Sequence, residues 1–198
     1  MFIVCLPIIV AIVLIVLAFV GWGISVYNNI VTQEEGVKAA WGQVQNQYQR
    51  RYDLIPNLVE TVKGYAKQEK EVLEGVTNAR SRVGQLNVTP EILNDPQAFL
   101  KFQQAQDGLS SALSRLLVVT ENYPNLKSNE NFLTLQSQLE GTENRIATER
   151  RRFNETVQSY NVAIRRFPAS FIASMSGFKE KAYFTAASGA DQVPNVKF

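Results

Sequence analysis

The chain has 198 residues, with 20 Lys and Arg against 18 Asp and Glu, no His and one Cys. Without imidazole and with a single thiol, one protomer can build no His-based triad, no Cys/His nucleophile pair and no Cys/His zinc site. A formal charge of +2 falls short of the concentrated basic face that nucleic-acid binding requires.

The charge is unevenly placed. Residues 1–33 carry no Asp, Glu, Lys or Arg, residues 1–24 carry no charged, amide or hydroxyl side chain, and residues 8–20 are Ile, Val, Leu, Ala and Phe alone. A helix over residues 1–24 would be about 36 Å long, enough to cross a hydrocarbon core of about 30 Å. A cleaved leader would place Lys or Arg before the apolar run and a small-x-small site after it, and neither is found. Cys5 follows Phe2, Ile3 and Val4, without the small residue that precedes a lipid-modified cysteine. The expectation is an uncleaved single-pass anchor over residues 1–24, with Trp22 and Tyr27 at the interfacial aromatic belt. Lys38 is the nearest basic side chain. The positive-inside rule therefore favours an outside N-terminus and a cytoplasmic soluble domain, with a periplasmic one as the alternative.

Beyond the anchor, positions spaced alternately four and three apart form heptad seams, the pattern of helices packed along their length. The first seam runs Val37, Trp41, Val44, Tyr48, Arg51, Ile55, Leu58, Val62, Tyr65, Glu69, Val72, Val76, Ala79, Val83 and Leu86. It passes Pro56 without a change of phase, which predicts one kinked helix over about 25–87. Asp95-Pro96 reads as an N-cap with proline at the first helical position. It opens a second helix over 96–122, whose seam runs from Phe99 and Phe102 through Gln106 to Tyr123. Pro124 ends it. A third helix is expected over 128–167, with Phe132, Leu139, Ile146, Glu149, Phe153, Tyr160 and Phe167 on its seam. A short fourth follows over 169–184, then an extended tail over 185–198. No segment alternates with period two. The fold class is all-α: a transmembrane helix, then an antiparallel bundle of three long helices and a short C-terminal one over residues 25–184.

Short connections make successive helices antiparallel. Helix 1 then leaves the membrane, helix 2 returns and helix 3 leaves again, with its basic groups far from the bilayer. A second helix of about 40 Å, starting from a turn near Leu86, reaches down only to the level of residue 58. That leaves Val37, Trp41, Val44 and Tyr48 bare, as candidates for an interface between protomers. The other way to cover them is for the last 30 residues to fold back. Arg51, Glu69 and Glu149 interrupt the seams and are candidates for a polar layer that fixes register. The pairs and triples Arg50-Arg51, Arg150-Arg151-Arg152 and Arg165-Arg166 read as solvated helix faces.

The stretch Arg50-Arg51-Tyr52-Asp53-Leu54-Ile55-Pro56-Asn57-Leu58-Val59-Glu60-Thr61-Val62-Lys63-Gly64-Tyr65-Ala66 resembles the signature of the LemA family. So do Tyr27-Asn28, Trp41, Val76-Thr77-Asn78-Ala79-Arg80, Tyr123-Pro124-Asn125-Leu126, Leu139-Glu140-Gly141-Thr142-Glu143-Asn144-Arg145-Ile146-Ala147, Tyr160-Asn161 and Phe167-Pro168. The resemblance implies a bacterial protein of the plasma (inner) membrane, a bundle of long antiparallel helices with a short N-terminus outside. It brings no catalytic, cofactor-binding or metal-binding residue to carry over. Together these features predict a non-enzymatic, membrane-anchored scaffold. Its expected partners are the lipid bilayer, further copies of itself and an envelope protein. The alternative is a regulatory adaptor that docks a partner through the membrane-distal tip and the apolar tail Ala182-Tyr183-Phe184.

Overall fold

The computed structural model describes residues 2–86 and 88–185, with side chains from Ile9 onward. Helix α1 runs unbroken over Phe2–Tyr65, 64 residues, or about 96 Å. Its first part is long and apolar enough to cross a membrane, and the side chains from Ile9 to Val20 are exposed. Its second part forms one wall of the bundle. Pro56 lies inside this helix. A proline offers no N–H to the carbonyl four residues back, and that carbonyl, of Tyr52, accepts instead from Arg80 Nε at 3.3 Å. The Arg80 guanidinium also lies 3.8 Å from the centre of the Tyr52 ring. A neighbouring helix thus replaces what the proline removes.

The first long helix does not continue to residue 87 as the seam predicts. The chain reverses over residues 66–69 and α2 (Lys70–Gly84) runs back down α1. Arg80 and Gly84 lie against Tyr52, and Gln45 Nε2 donates to the carbonyl of Val88 at 3.1 Å. A 3-10 turn over Pro90–Asn94 follows, then α3 (Pro96–Thr120), the short α4 (Pro124–Lys127), α5 (Glu130–Arg165) and α6 (Ala169–Met175). Asp95 caps α3 as expected, its carboxylate accepting from the N–H of Gln97 at 2.9 Å and of Ala98 at 3.1 Å. Asn129 caps α5, accepting from the N–H of Phe132 at 3.0 Å.

The extra reversal sets the direction of everything after it. Helix α3 climbs away from the span, and α5 descends toward it. Asn129 Nδ2 donates to the Tyr65 hydroxyl at the tip, and Phe153 reaches Trp41 near the base. The result is an all-α antiparallel bundle with no strand among the described residues. It brings Arg165 and Arg166 to the span's end of the bundle, opposite to the expectation that the basic end of this helix lies far from the bilayer.

Two apolar clusters make up the core. The distal one joins Ile55, Leu58 and Val62 to Leu113, Leu116 and Phe132. The proximal one joins Val37, Trp41, Val44 and Tyr48 to Phe99, Phe102, Phe153, Tyr160 and Phe184. The expectation that Val37, Trp41, Val44 and Tyr48 face other protomers is thereby overturned, because all four are buried by their own chain. The covering comes from α3, from the descending α5 and from the C-terminal segment folding back.

The fourth helix is also shorter than expected. Gly177, at φ +76°, takes the left-handed conformation that glycine adopts at no steric cost. Residues 178–185 then climb back along the bundle as an extended strap. The expected tail beyond residue 185 lies outside the described residues.

Candidate functional site

Arg51 sits between the two apolar clusters with 1% of its surface exposed. A guanidinium there must be paired and hydrogen-bonded to offset its desolvation. Nη1 donates to Ser110 Oγ at 2.6 Å and to Glu143 Oε1 at 2.7 Å. Nη2 donates to the Gln106 backbone carbonyl at 3.3 Å and to its side-chain Oε1. The Tyr48 ring lies 5.1 Å away. One side chain on α1 therefore bonds to both α3 and α5 at mid-height, forming a polar layer between the two apolar clusters.

Glu69 and Glu149 do not join it. Glu69 lies at the distal turn, where its carboxylate accepts from the Tyr123 hydroxyl at 2.9 Å. The Glu149 side chain is 17% exposed and pairs with the exposed Arg152 at 2.8 Å, along its own helix. Of the partners that complete the layer, Gln106, Ser110 and Glu143, the last two lie off the heptad seams. Gln106 alone left a signal there, as a polar position on the second seam.

A second polar assembly holds the strap. Three amide side chains each bind its backbone through both their N–H and their carbonyl. Asn161 donates to the carbonyl of Lys181 and accepts from its N–H, both at 3.0 Å. Asn154 does the same to Phe184, both at 2.9 Å. Gln103 donates to the carbonyl of Thr185 at 2.8 Å and accepts from its N–H at 3.2 Å. The Tyr160 hydroxyl donates to the carbonyl of Lys179 at 3.0 Å. The buried Lys181 ammonium reaches Glu34 and Asn94, each at 2.7 Å. These bonds satisfy an extended backbone that has no neighbouring strand among the described residues. The tail Ala182-Tyr183-Phe184, expected to dock a partner, is therefore part of the bundle. Phe184 is buried and Ala182 packs on the proximal core.

Burial pushes the Tyr48 hydroxyl up to about 12, more than the nearby Arg150 and Arg51 pull it down. Burial, reinforced by Glu34, likewise pushes Tyr160 up to about 12. A tyrosine raised in the fold favours its neutral form there. Its contribution is constant below pH 10 and is lost as pH climbs from about 10 to about 12. For Tyr48 that loss is about 3 kcal/mol. The Tyr48 oxygen has no hydrogen-bond partner among the described residues. Tyr48→Phe is therefore expected to be near neutral at pH 7 and to flatten the alkaline fall in melting temperature, as read by circular dichroism in detergent from pH 8 to 11.5.

Among the described residues no group of three or more His, Cys, Asp or Glu could hold a metal ion. The arrangement fixes helices and a strap in place. The fold and these polar ties define a membrane-associated helical bundle carried on one long apolar helix. The chain belongs to the LemA family, which it matches over residues 40–198. It is similar to the magnetosome protein MamQ of Magnetospirillum gryphiswaldense, 29% identical over 195 residues, covering 90% of this chain and 72% of that one. It is also similar to magnetosome protein MamQ 2 of Paramagnetospirillum magneticum, at 28% over 195 residues with the same coverage. A third relative is protein LemA of Metamycoplasma hominis, 23% identical over 160 residues, covering 81% of this chain and 69% of that one.

Proposed function

We propose that this protein is a non-enzymatic, membrane-anchored scaffold that self-associates and organises the membrane or envelope around it. The observation that carries the reading is the continuity of α1. One helix, Phe2–Tyr65, serves both as the apolar segment and as one wall of the bundle, and Arg80 satisfies the Tyr52 carbonyl that Pro56 leaves without a helical donor. The bundle is thus joined stiffly to its anchor. It projects about 60 Å past Ile24, at 1.5 Å per residue over the rest of α1. The buried polar groups Arg51, Gln103, Gln106, Asn161 and Lys181 hold α1, α3, α5 and the strap together. The similarity to proteins named for the magnetosome supports work within a larger assembly rather than turnover of a small molecule.

With the Val37 to Tyr48 seam used internally, self-association falls to the flank of the apolar segment and the outer wall of the bundle, where Leu100 and Val118 are exposed. Light scattering on the full chain in detergent is expected to give a mass several times the 22.2 kDa of one chain. A protein mass of one chain at every concentration would overturn self-association.

A further inference from the structure

We propose that α6 and the turn before it form a second membrane contact, an apolar wedge lying in the lipid interface beside the point where α1 leaves the bilayer. The inference rests on the reading that the first part of α1 spans the membrane. Phe167, Phe171 and Met175 are 89%, 65% and 75% exposed, whereas Ala173, on the opposite face of α6, is buried in the proximal core. Phe171 and Met175, four apart on α6, form one stripe, and Phe167 lies in the turn before it. Phe167 completes the third seam, but α5 ends at Arg165, which leaves the ring projecting off the helix end.

The place of α6 identifies what covers this stripe. Ile172 Cδ1 lies 3.4 Å from the position a Cβ would take on Gly23, at the end of the stretch without charged, amide or hydroxyl side chains. Phe178, just after α6, packs at a tilt against Tyr27, with ring centres 5.7 Å apart. The helix therefore sits at or below the height of the expected aromatic belt, at the level where Val20 and Ile24 of the span are exposed. Arg165, Arg166 and Lys179 are exposed at its two ends, placed as cationic groups are at the rim of an interfacial helix. An aqueous setting would leave three large apolar side chains wet at the one end of the bundle where lipid is at hand.

The test is nitroxide accessibility in the full chain, reconstituted into vesicles of phosphatidylcholine alone so that lipid charge plays no part. Labels are attached through Phe171→Cys, Leu14→Cys or Val118→Cys in a Cys5→Ser background. The expected result is a several-fold preference for oxygen over a water-soluble nickel complex at positions 171 and 14, with the reverse at 118. A label at 171 that behaves like 118 while 14 stays oxygen-accessible overturns the wedge and leaves the anchor standing. Nickel access at 14 overturns the anchor and the wedge together. Phe171→Ser with Met175→Ser is expected to leave the melting temperature in detergent unchanged, and a large drop would show that the stripe packs within the protomer instead.

Discussion

Trp41→Ala is expected to loosen the membrane-proximal half of the bundle, at a cost of about 3–5 kcal/mol and a fall in melting temperature of about 10 °C. Trp41 stands where four segments meet. Its ring centre lies 5.8 Å from Phe99 and 5.3 Å from Phe102 on α3, 5.6 Å from Phe153 on α5 and 6.1 Å from Phe184 on the strap. Truncation opens a cavity that these partners cannot all fill, because each is fixed by its own backbone. The strap depends on this contact most, since Phe184 is one of its two buried anchors, the other being Lys181. Hydrogen exchange should therefore rise first at residues 178–185 and in the lower part of α5, while the distal cluster around Leu58 and Leu116 keeps its protection. Trp41→Phe should cost much less. It retains an aromatic ring, and the Trp41 Nε1 it removes has no hydrogen-bond partner among the described residues. The opposite pattern, unchanged melting with a lower assembly mass, would show that Trp41 works between chains and would contradict its burial within one.

Much of the packing was legible because burial on a helix follows a fixed period. Phe99, Phe102, Gln106, Leu109, Leu113, Leu116 and Thr120 of the second seam are all buried, including the two polar ones. The path of the chain was not legible, because a heptad pattern marks an apolar face and carries no sign of direction. The reversal over residues 66–69 keeps the apparent phase of the first seam. Its one local cue is Gly64, and Gly21, Gly23, Gly36 and Gly42 lie within the same helix without breaking it. That single missed turn inverted the later helices and left Trp41 apparently bare. The polar ties escaped for a different reason. Arg51 finds Gln106, Ser110 and Glu143 at separations of 55, 59 and 92 residues, and Lys181 finds Glu34 at 147. Nothing local distinguishes such an Asn, Gln or Glu from one on a solvated face. The stretches that resemble the LemA signature nevertheless contain Arg51, Tyr52, Arg80, Glu143, Tyr160 and Asn161, and each of these takes part in one of the ties described above.

The Arg51 layer yields an asymmetry that a simple ion pair would not. The Arg51 side chain is 1% exposed, but that of Glu143 is 36% exposed. Glu143→Ala leaves a guanidinium buried with neutral partners only, and breaking a buried pair in this way costs about 3–5 kcal/mol. The lower end is expected, because a partly hydrated carboxylate is already screened. Arg51→Met has a different outcome. The Glu143 carboxylate can turn into water, and the loss is confined to the Gln106 oxygens and Ser110, about 1–3 kcal/mol for acceptors left without a donor. Arg51 Nε has no partner among the described residues, so its removal carries no further penalty. Once Arg51 is methionine, Glu143→Ala should add little, and the double variant should lie within about 1 kcal/mol of Arg51→Met alone, a strongly non-additive cycle. Thermal or urea unfolding of the four proteins in one detergent measures this directly. If Arg51→Met proves the more costly single change, the arginine contributes mainly through its packing and its bonds to α3, and charge compensation by α5 is not what holds the layer together.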